Sequence, residues 1–243
     1  GLLFGGQTVR SEMDICRRAI QQVLASPANA KLEGTYLFAG GRGQCGYFHW
    51  LYDVIAPLAP FASDPEVAKL PLLLPTRTHP FYEETLRRCG FTGPIIIQPS
   101  GRVWVERLIV AGNVRPKICP PVIPGPPRRR LALLRDLFHI QLSPEPDLCL
   151  FISRRDAQKR QVTNQLELDP ILHCLGYQTC TLTGMSFGEQ IALFGRARRI
   201  AGPHGAGFSN LLFSPTGIRL IEFFSPHYLH GVYSHLAHSL GGE

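Results

Sequence analysis

The pattern of hydrophobic and polar positions is most regular after Leu148, where short apolar runs alternate with segments of helical periodicity. Short apolar runs bounded by turns are typical of buried strands, and apolar residues three and four apart indicate helices. A strand followed by a helix, repeated along the chain, predicts an α/β fold with a regular, doubly wound parallel sheet. The predicted strands here are residues 148–152, 178–182, 199–201 and 218–224, and the predicted helices are 166–175, 187–196, 208–213 and 228–240.

The first part of the chain shows the same two patterns less regularly. Proline-rich residues 116–127 follow it, and because proline fixes φ and lacks an N–H donor, they predict a stiff, extended segment. Arg128 then begins a predicted helix that runs to about residue 141. We therefore divide the chain into domains at 1–125 and 126–243. The predicted elements of the first domain are strands at 36–39, 70–74, 95–98 and 103–111, the second and third of them buried, and helices at 11–25, 46–62 and 81–89.

Composition limits the kinds of ligand that the protein is expected to bind and the cellular compartment in which it is expected to work. The hydrophobic fraction of 44% allows a sizeable core, and the formal net charge of +7 suits an anionic ligand, whether nucleotide, nucleic acid or membrane surface. The seven cysteines form no CxxC pair and no N-x-[ST] sequon occurs, so we expect a reducing, cytoplasmic location and no structural zinc. No apolar run approaches the roughly 20 residues of a membrane span, and no RNA-binding aromatic signature is present.

A glycine-rich turn lies between the predicted strand at 199–201 and the helix at 208–213. Gly202, Gly205 and Gly207 surround His204 there, and glycines let a backbone approach a ligand closely. The helix start that follows presents unpaired N–H groups, which favour an anion. The turn is either a phosphate site or simply a tight turn of the sheet. Its GxxGxG spacing fits neither the dinucleotide fingerprint nor a P-loop.

Other polar residues follow neighbouring strands of the same predicted sheet. Arg154, Arg155 and Arg160 come after the strand at 148–152, and they form either a diphosphate clamp or an ordinary solvated loop. Glu222 ends the strand that follows the glycine turn, where it would accept from ribose hydroxyls or simply face solvent. The carboxyl ends of parallel strands meet at one edge of a sheet, so we expect these groups to act together.

His49 and Asp53 are four residues apart in the predicted helix at 46–62, and therefore share one helix face. A carboxylate at this position orients the imidazole as a general base requires. The alternatives are a surface ion pair and a core histidine. No DxD motif, zinc-ligand spacing or GxSxG elbow occurs, so no metal site is expected.

Four sequence blocks resemble the family 61 glycosyltransferases, which include capsular-polysaccharide-type enzymes. The blocks are HWLYD at 49–53, ISRRDAQKR at 152–160 with Asn164, SFGEQIALF at 186–194, and GPHGAGFSNLLFSPTG at 202–217 with IEFF at 221–224. The resemblance implies an inverting enzyme of the GT-B architecture, with two Rossmann-like halves facing each other across a cleft. The chain departs from the family pattern at Gly46, at Ala56-Pro57 and at Gln165.

The resemblance also implies roles for individual residues. Glu189 and Glu222 would lie by the nucleoside, His49 or Asp53 would be the catalytic base, and Asn210 belongs to the same block as His204. The groups that would hold the donor diphosphate are Arg154, Arg160, His204, Gly205, Ala206 and Gly207.

We therefore expect a hexosyl- or pentosyltransferase of polysaccharide biosynthesis. It would move a sugar from a nucleotide-sugar donor to a hydroxyl of a glycan or glycoconjugate by a metal-independent single displacement, with no cofactor. The expected partners are these two substrates and not nucleic acid, and the net positive charge is compatible with peripheral association with a membrane. The alternative is a non-catalytic module that binds a nucleotide or polyanion and has a degenerate acceptor site.

Overall fold

The structure is a computed structural model. The predicted helix at 11–25 and the proline-rich segment at 116–127 lie outside the residues that it describes. Near the beginning of the chain, strands β1 (Leu3–Phe4) and β2 (Gln7–Thr8) pair antiparallel. The described residues are 3–4, 7–8, 28–40, 46–75, 79–111, 128–226 and 228–242.

The first of the two larger sheets has four parallel strands in the order β5-β4-β3-β6. Its strands are β3 (Ala30–Phe38), β4 (Leu72–Leu74), β5 (Ile95–Ile97) and β6 (Val103–Val110). Residues 95–97 form a strand, but the prediction that this strand is buried is wrong, because Ile97 is 45% exposed. β5 lies at the edge of the sheet and has a strand on one side only, so its apolar residues are incompletely covered.

The second large sheet confirms the prediction of four parallel strands after Leu148. Its order is β10-β9-β7-β8, and every neighbouring pair is parallel. Because all four strands run in the same direction, their carboxyl ends lie at one edge of the sheet. The strands are β7 (Leu148–Ile152), β8 (Tyr177–Cys180), β9 (Ala197–Pro203) and β10 (Arg219–Phe223).

The helices follow the predicted order with different ends. The first helix within the described residues, α1, is α-helical at Tyr47–His49, π-helical at Trp50–Ile55, α-helical at Ala56–Leu58 and 3-10 at Ala59–Phe61. The remaining ones are α2 (Pro65–Ala68), α3 (Pro80–Arg88), α4 (Arg128–Leu137), α5 (Gln165–Cys174), α6 (Phe187–Gly195), the 3-10 helix Ala206–Phe213 and α7 (Val232–Ser239).

Two predicted helices are shorter than expected. α4 ends at Leu137 rather than near residue 141. The last helix, predicted at 228–240, begins only at Val232, because Ser225 and Tyr228 form an isolated antiparallel bridge that closes a turn after β10. This turn brings Tyr228 and His230 out of the helix and into a loop.

One continuous hydrophobic cluster draws on elements that pack against both large sheets. α1 lies in its middle, with Trp50, Leu51 and Ile55 completely buried. Trp50 stacks on Tyr82 of α3 at 3.7 Å between ring centroids. The helices of the first half are therefore packed into the same apolar core as the 3-10 helix and α7.

Hydrogen bonds also join elements of the first half to elements of the second. The Tyr47 hydroxyl donates to Asn210 Oδ1 (2.6 Å), and the Tyr52 hydroxyl donates to the Ser209 carbonyl (2.9 Å), which fixes α1 on the 3-10 helix. Burial, and secondarily the charge of Glu84, raises the pKa of Tyr47, so its hydroxyl stays a donor. The division at residues 125 and 126 and the GT-B arrangement remain predictions.

The start of α6 has a partner from the first half as well. The Glu84 carboxylate of α3 accepts from the backbone N–H groups of Phe187 (2.9 Å) and Gly188 (3.1 Å). An anion at a helix N-terminus satisfies free amides and interacts favourably with the helix dipole. This contact therefore ties α3 to α6.

Candidate active site

β9 runs to Pro203 and includes Gly202, which was expected in the turn, so the turn is shorter than predicted. The helix that follows begins at Ala206, two residues earlier than expected, as a 3-10 helix. Gly205 occupies the N-cap position and has no side chain to cap the helix. The first backbone amides of this helix are therefore available to an anion. Gly207 has a packing reason to be glycine, because a Cβ there would lie 2.8 Å from Leu182 Cδ1.

Gly202 is required by the sheet itself. Its φ is +149°, and a Cβ would lie 2.5 Å from the backbone oxygen of Ile152 on the neighbouring strand β7. We expect Gly202→Ala to lower the free energy of unfolding by about 2–3 kcal/mol, because backbone atoms cannot move aside as a flexible side chain does. Denaturant unfolding measures this loss.

Gly176→Ala is the matched control for that variant. Gly176 also has a positive φ, of +77°, but no atom lies within 4 Å of the added Cβ. Its loss should be about 1 kcal/mol, the cost of the backbone conformation alone. Equal losses in the two variants would contradict the steric explanation for Gly202.

His204 and Glu222 form a buried pair at the carboxyl ends of β9 and β10. His204 Nδ1 lies 2.5 Å from Glu222 Oε1, and the two side chains are 6% and 3% exposed. The alternative in which Glu222 faces solvent is therefore excluded. An ionised carboxylate only accepts, so Nδ1 donates and Nε2 of His204 is left for a ligand. The contact of Glu222 with a nucleoside stays a prediction.

The two arginines predicted to clamp a diphosphate lie close to each other and to the glycine turn. The Arg154 guanidinium lies against Gly205, so that a Cβ on Gly205 would overlap its Nη1 atom. Burial lowers the pKa of Arg154, and the positive charge of Arg160 lowers it further. Within the described part of the chain, neither guanidinium forms an ion pair with a carboxylate. Arg155, in contrast, is paired with Asp169.

His49 and Asp53 form the predicted pair on α1. His49 Nδ1 lies 2.6 Å from Asp53 Oδ2, and the side chains are 42% and 5% exposed. The exposure excludes a core histidine. The carboxylate lies in the π-helical turn Trp50–Ile55, and π turns within helices are frequent at functional sites.

A cavity of about 270 Å³ brings residues from both halves together. Four of its lining residues were predicted from the sequence: His49 of α1, Arg160, His204 and Ala206. Arg154 and Glu222 adjoin it through their contacts with Gly205 and His204. His49 therefore lines the same cavity as Arg160, His204 and Ala206, whereas Arg154, Gly205 and Gly207 do not line it.

Of the six other lining residues, three carry polar side chains that the sequence analysis missed: Tyr228, His230 and Tyr233. Burial raises the pKa of Tyr233 to about 12, and a side-chain hydrogen bond with Ser209 opposes this shift. Helical periodicity assigned all three to the final helix. The rule that ligands bind at the carboxyl ends of strands would have indicated the loop after β10, where Tyr228 and His230 lie.

Two other predicted residues have structural contacts and do not line this cavity. Asn210 is completely buried, accepts from the Tyr47 hydroxyl and donates to Gln190 Oε1 (2.6 Å). Glu189 accepts from the Ser186 backbone N–H (2.7 Å), which completes the predicted capping box of α6. Their roles at a ligand stay predictions.

Within the ranges that the structure describes, no three His, Cys, Asp or Glu side chains are grouped closely enough to hold a metal ion. No helix in those ranges has the length and apolar character needed to cross a bilayer. Metal independence stays a prediction.

A search of curated proteins found no match. A family model described as Glycosyltransferase 61 matches residues 47–221, which is more than two thirds of the chain. The matched range begins at α1 and includes His49, the arginines and the glycine turn, and it ends one residue before Glu222. The chain therefore belongs to glycosyltransferase family 61.

Proposed function

We propose that this glycosyltransferase is an inverting enzyme that transfers a sugar from a nucleoside-diphosphate sugar to a hydroxyl acceptor. Family membership supports glycosyl transfer in general. One observation carries the finer proposal: a histidine–carboxylate pair and a group of cations line or adjoin the same cavity. The pair belongs to the first half and the cations to the second, as expected if two substrates meet between them.

The cations support a diphosphate donor. Burial and the positive charge of Arg160 lower the pKa of Arg154, although Asp156 and Tyr233 oppose this, so a bound anion would be favoured beside the two arginines. The backbone amides at the start of the 3-10 helix add donors at the same place. A diphosphate has enough oxygens and charge to contact all of these groups.

His49 is the favoured base. Its Nδ1–H donates to Asp53, so the lone pair of Nε2 accepts the proton of the acceptor hydroxyl. Asp53 is buried behind the ring, which suits a residue that orients His49. As the acceptor oxygen bonds to the anomeric carbon, the bond from that carbon to the diphosphate oxygen breaks on the opposite face, which inverts the configuration.

The departing diphosphate carries the negative charge that develops. Arg154, Arg160 and the 3-10 helix start stabilise that charge, and such preorganised groups are often the largest contribution to catalysis. We further propose that the acceptor is a glycan or glycoconjugate, that no cofactor takes part, and that the enzyme acts in the cytoplasm, at a membrane surface where the acceptor requires it.

Thermal unfolding with different ligands tests the donor site first. UDP and GDP should stabilise the protein, by about 2.7 kcal/mol at 100 times the dissociation constant, and uridine and guanosine at the same concentrations should bind more weakly and stabilise it less. EDTA should leave the shifts unchanged. UDP-, GDP- and CMP-sugars are then screened for transfer and hydrolysis. Equal shifts for uridine and UDP would contradict the diphosphate site, and binding without turnover to any acceptor or water would favour the non-catalytic module.

A further inference from the structure

Arg160 differs from Arg154 and His204 in how its side chain is held. His204 is fixed by Glu222, and Arg154 Nε donates to the backbone oxygen of Lys159 (3.1 Å). The guanidinium carbon of Arg160 instead lies over the ring of Tyr228, 4.9 Å from the ring centroid. An arginine at this distance from an aromatic face is attracted by the ring quadrupole.

The ring of Tyr228 is itself held in place. The backbone N–H of Tyr228 donates to the Ser225 carbonyl (3.0 Å), which closes the turn after β10. The ring packs against His204, with centroids 5.2 Å apart, and against His230, at 4.6 Å. Tyr228 therefore connects Arg160 to a histidine that is already anchored on the sheet.

The backbone of Arg160 also indicates that its side chain is held in a defined position. Its φ is +59°, a conformation that residues other than glycine rarely adopt unless the surrounding structure requires it. The turn from Arg154 to Arg160 thereby brings both guanidiniums to the same region, although they repel each other. The Tyr228 ring is a contact that holds Arg160 in this region when no ligand is bound.

We propose that Tyr228 is a positioning residue, which holds the Arg160 guanidinium where the diphosphate of the donor binds. The inference rests on the proposed function, because it assumes that Arg160 contacts a diphosphate. It predicts that the aromatic ring matters and that the phenolic hydroxyl does not. A ring that instead stacked on the nucleobase would affect nucleosides and nucleotides alike.

Calorimetric titration of UDP and of inorganic diphosphate tests the proposal. Tyr228→Leu and Tyr228→Gln should weaken both ligands between about 2-fold and 30-fold, which is the 0.5–2 kcal/mol of a cation–π interaction at 1.4 kcal/mol per tenfold. Tyr228→Phe should bind like the wild type. In an Arg160→Ala background, Tyr228→Leu should cause no further loss, because the ring acts through that guanidinium.

Leu229→Ala is the matched control, since Leu229 is a neighbouring loop residue that is 69% exposed. It should bind UDP normally. The melting temperature of the Tyr228 variants should stay close to that of the wild type, because the Tyr228 side chain is 43% exposed.

Three results would overturn the proposal. Full UDP affinity in Tyr228→Leu would show that the ring does not position Arg160. Equal losses for uridine and UDP would assign the ring to the nucleobase, and an additive loss in the Arg160→Ala background would show that it acts independently. In each case the diphosphate site would stand. If the wild type binds neither UDP, GDP nor inorganic diphosphate, the proposed function itself fails, and this inference with it.

Discussion

In the His49→Ala variant, sugar transfer is expected to fall by roughly 10²–10⁴, the range that a positioned general base contributes. Donor affinity should be nearly unchanged, because the diphosphate groups belong to other elements. The imidazole is partly exposed in the cavity and its Nδ1 is engaged by Asp53, so the loss should appear in kcat more than in KM. Steady-state kinetics with the best donor from the ligand screen measure both.

Asp53→Asn separates orientation from proton transfer. If Asp53 only orients His49, this variant should lose less activity than His49→Ala; if the carboxylate is the base, it should lose as much or more. His173→Ala is the control for histidine removal, because His173 is exposed on α5 and does not line the cavity. Normal transfer by a folded His49→Ala variant would exclude the base role, and global unfolding would make His49 a structural residue.

Removing both arginines of the predicted clamp is expected to weaken UDP binding by roughly 10²–10⁴, because each charge-assisted contact contributes about 1.5–3 kcal/mol. The double variant Arg154→Ala with Arg160→Ala should bind uridine as the wild type does. The repulsion between the two guanidiniums disappears in this variant. We therefore expect its free energy of unfolding without ligand to be no lower than that of the wild type. Calorimetry at low salt measures the affinity, and chemical unfolding measures the stability.

Arg155→Ala is the matched control for that variant, since Arg155 belongs to the same sequence block but pairs with Asp169. Its UDP affinity should be unchanged. The wild-type affinity should fall as salt is added, because ions screen the attraction between the arginines and the diphosphate. A double variant that retains UDP affinity would remove the arginines from the donor site.

The second large sheet could be predicted from the sequence because short strands alternate regularly with helices along this part of the chain, beginning with the apolar run of β7. Local spacing likewise predicted the His49–Asp53 pair and the capping box of α6. The burial of β5 and the late start of α7 depend on contacts with residues distant in the sequence. Hydrophobic periodicity contains no information about a strand's missing neighbour or about the bridge between Ser225 and Tyr228.

The residues of the site likewise include some that local sequence patterns predict and others that depend on contacts between distant parts of the chain. The rule for strand ends placed Arg154, His204 and Glu222 at one edge of one sheet, where the structure has them. That His49 shares a cavity with Arg160 follows from the packing of α1 onto the 3-10 helix. Such packing depends on side-chain contacts between the two halves, which periodicity within each half does not specify.

The 3-10 helix Ala206–Phe213 lies between the proposed donor site and the helix that carries His49. Its first amides are placed for the donor phosphates, while Ser209 and Asn210, within its next turn, hold the helix that carries His49. A donor that shifts or orders this helix therefore changes the free energy of acceptor binding at His49. By thermodynamic reciprocity, the acceptor must change donor affinity by the same factor. The two tyrosines, Tyr47 and Tyr52, would then set the size of that factor, although neither is placed to touch the reacting atoms.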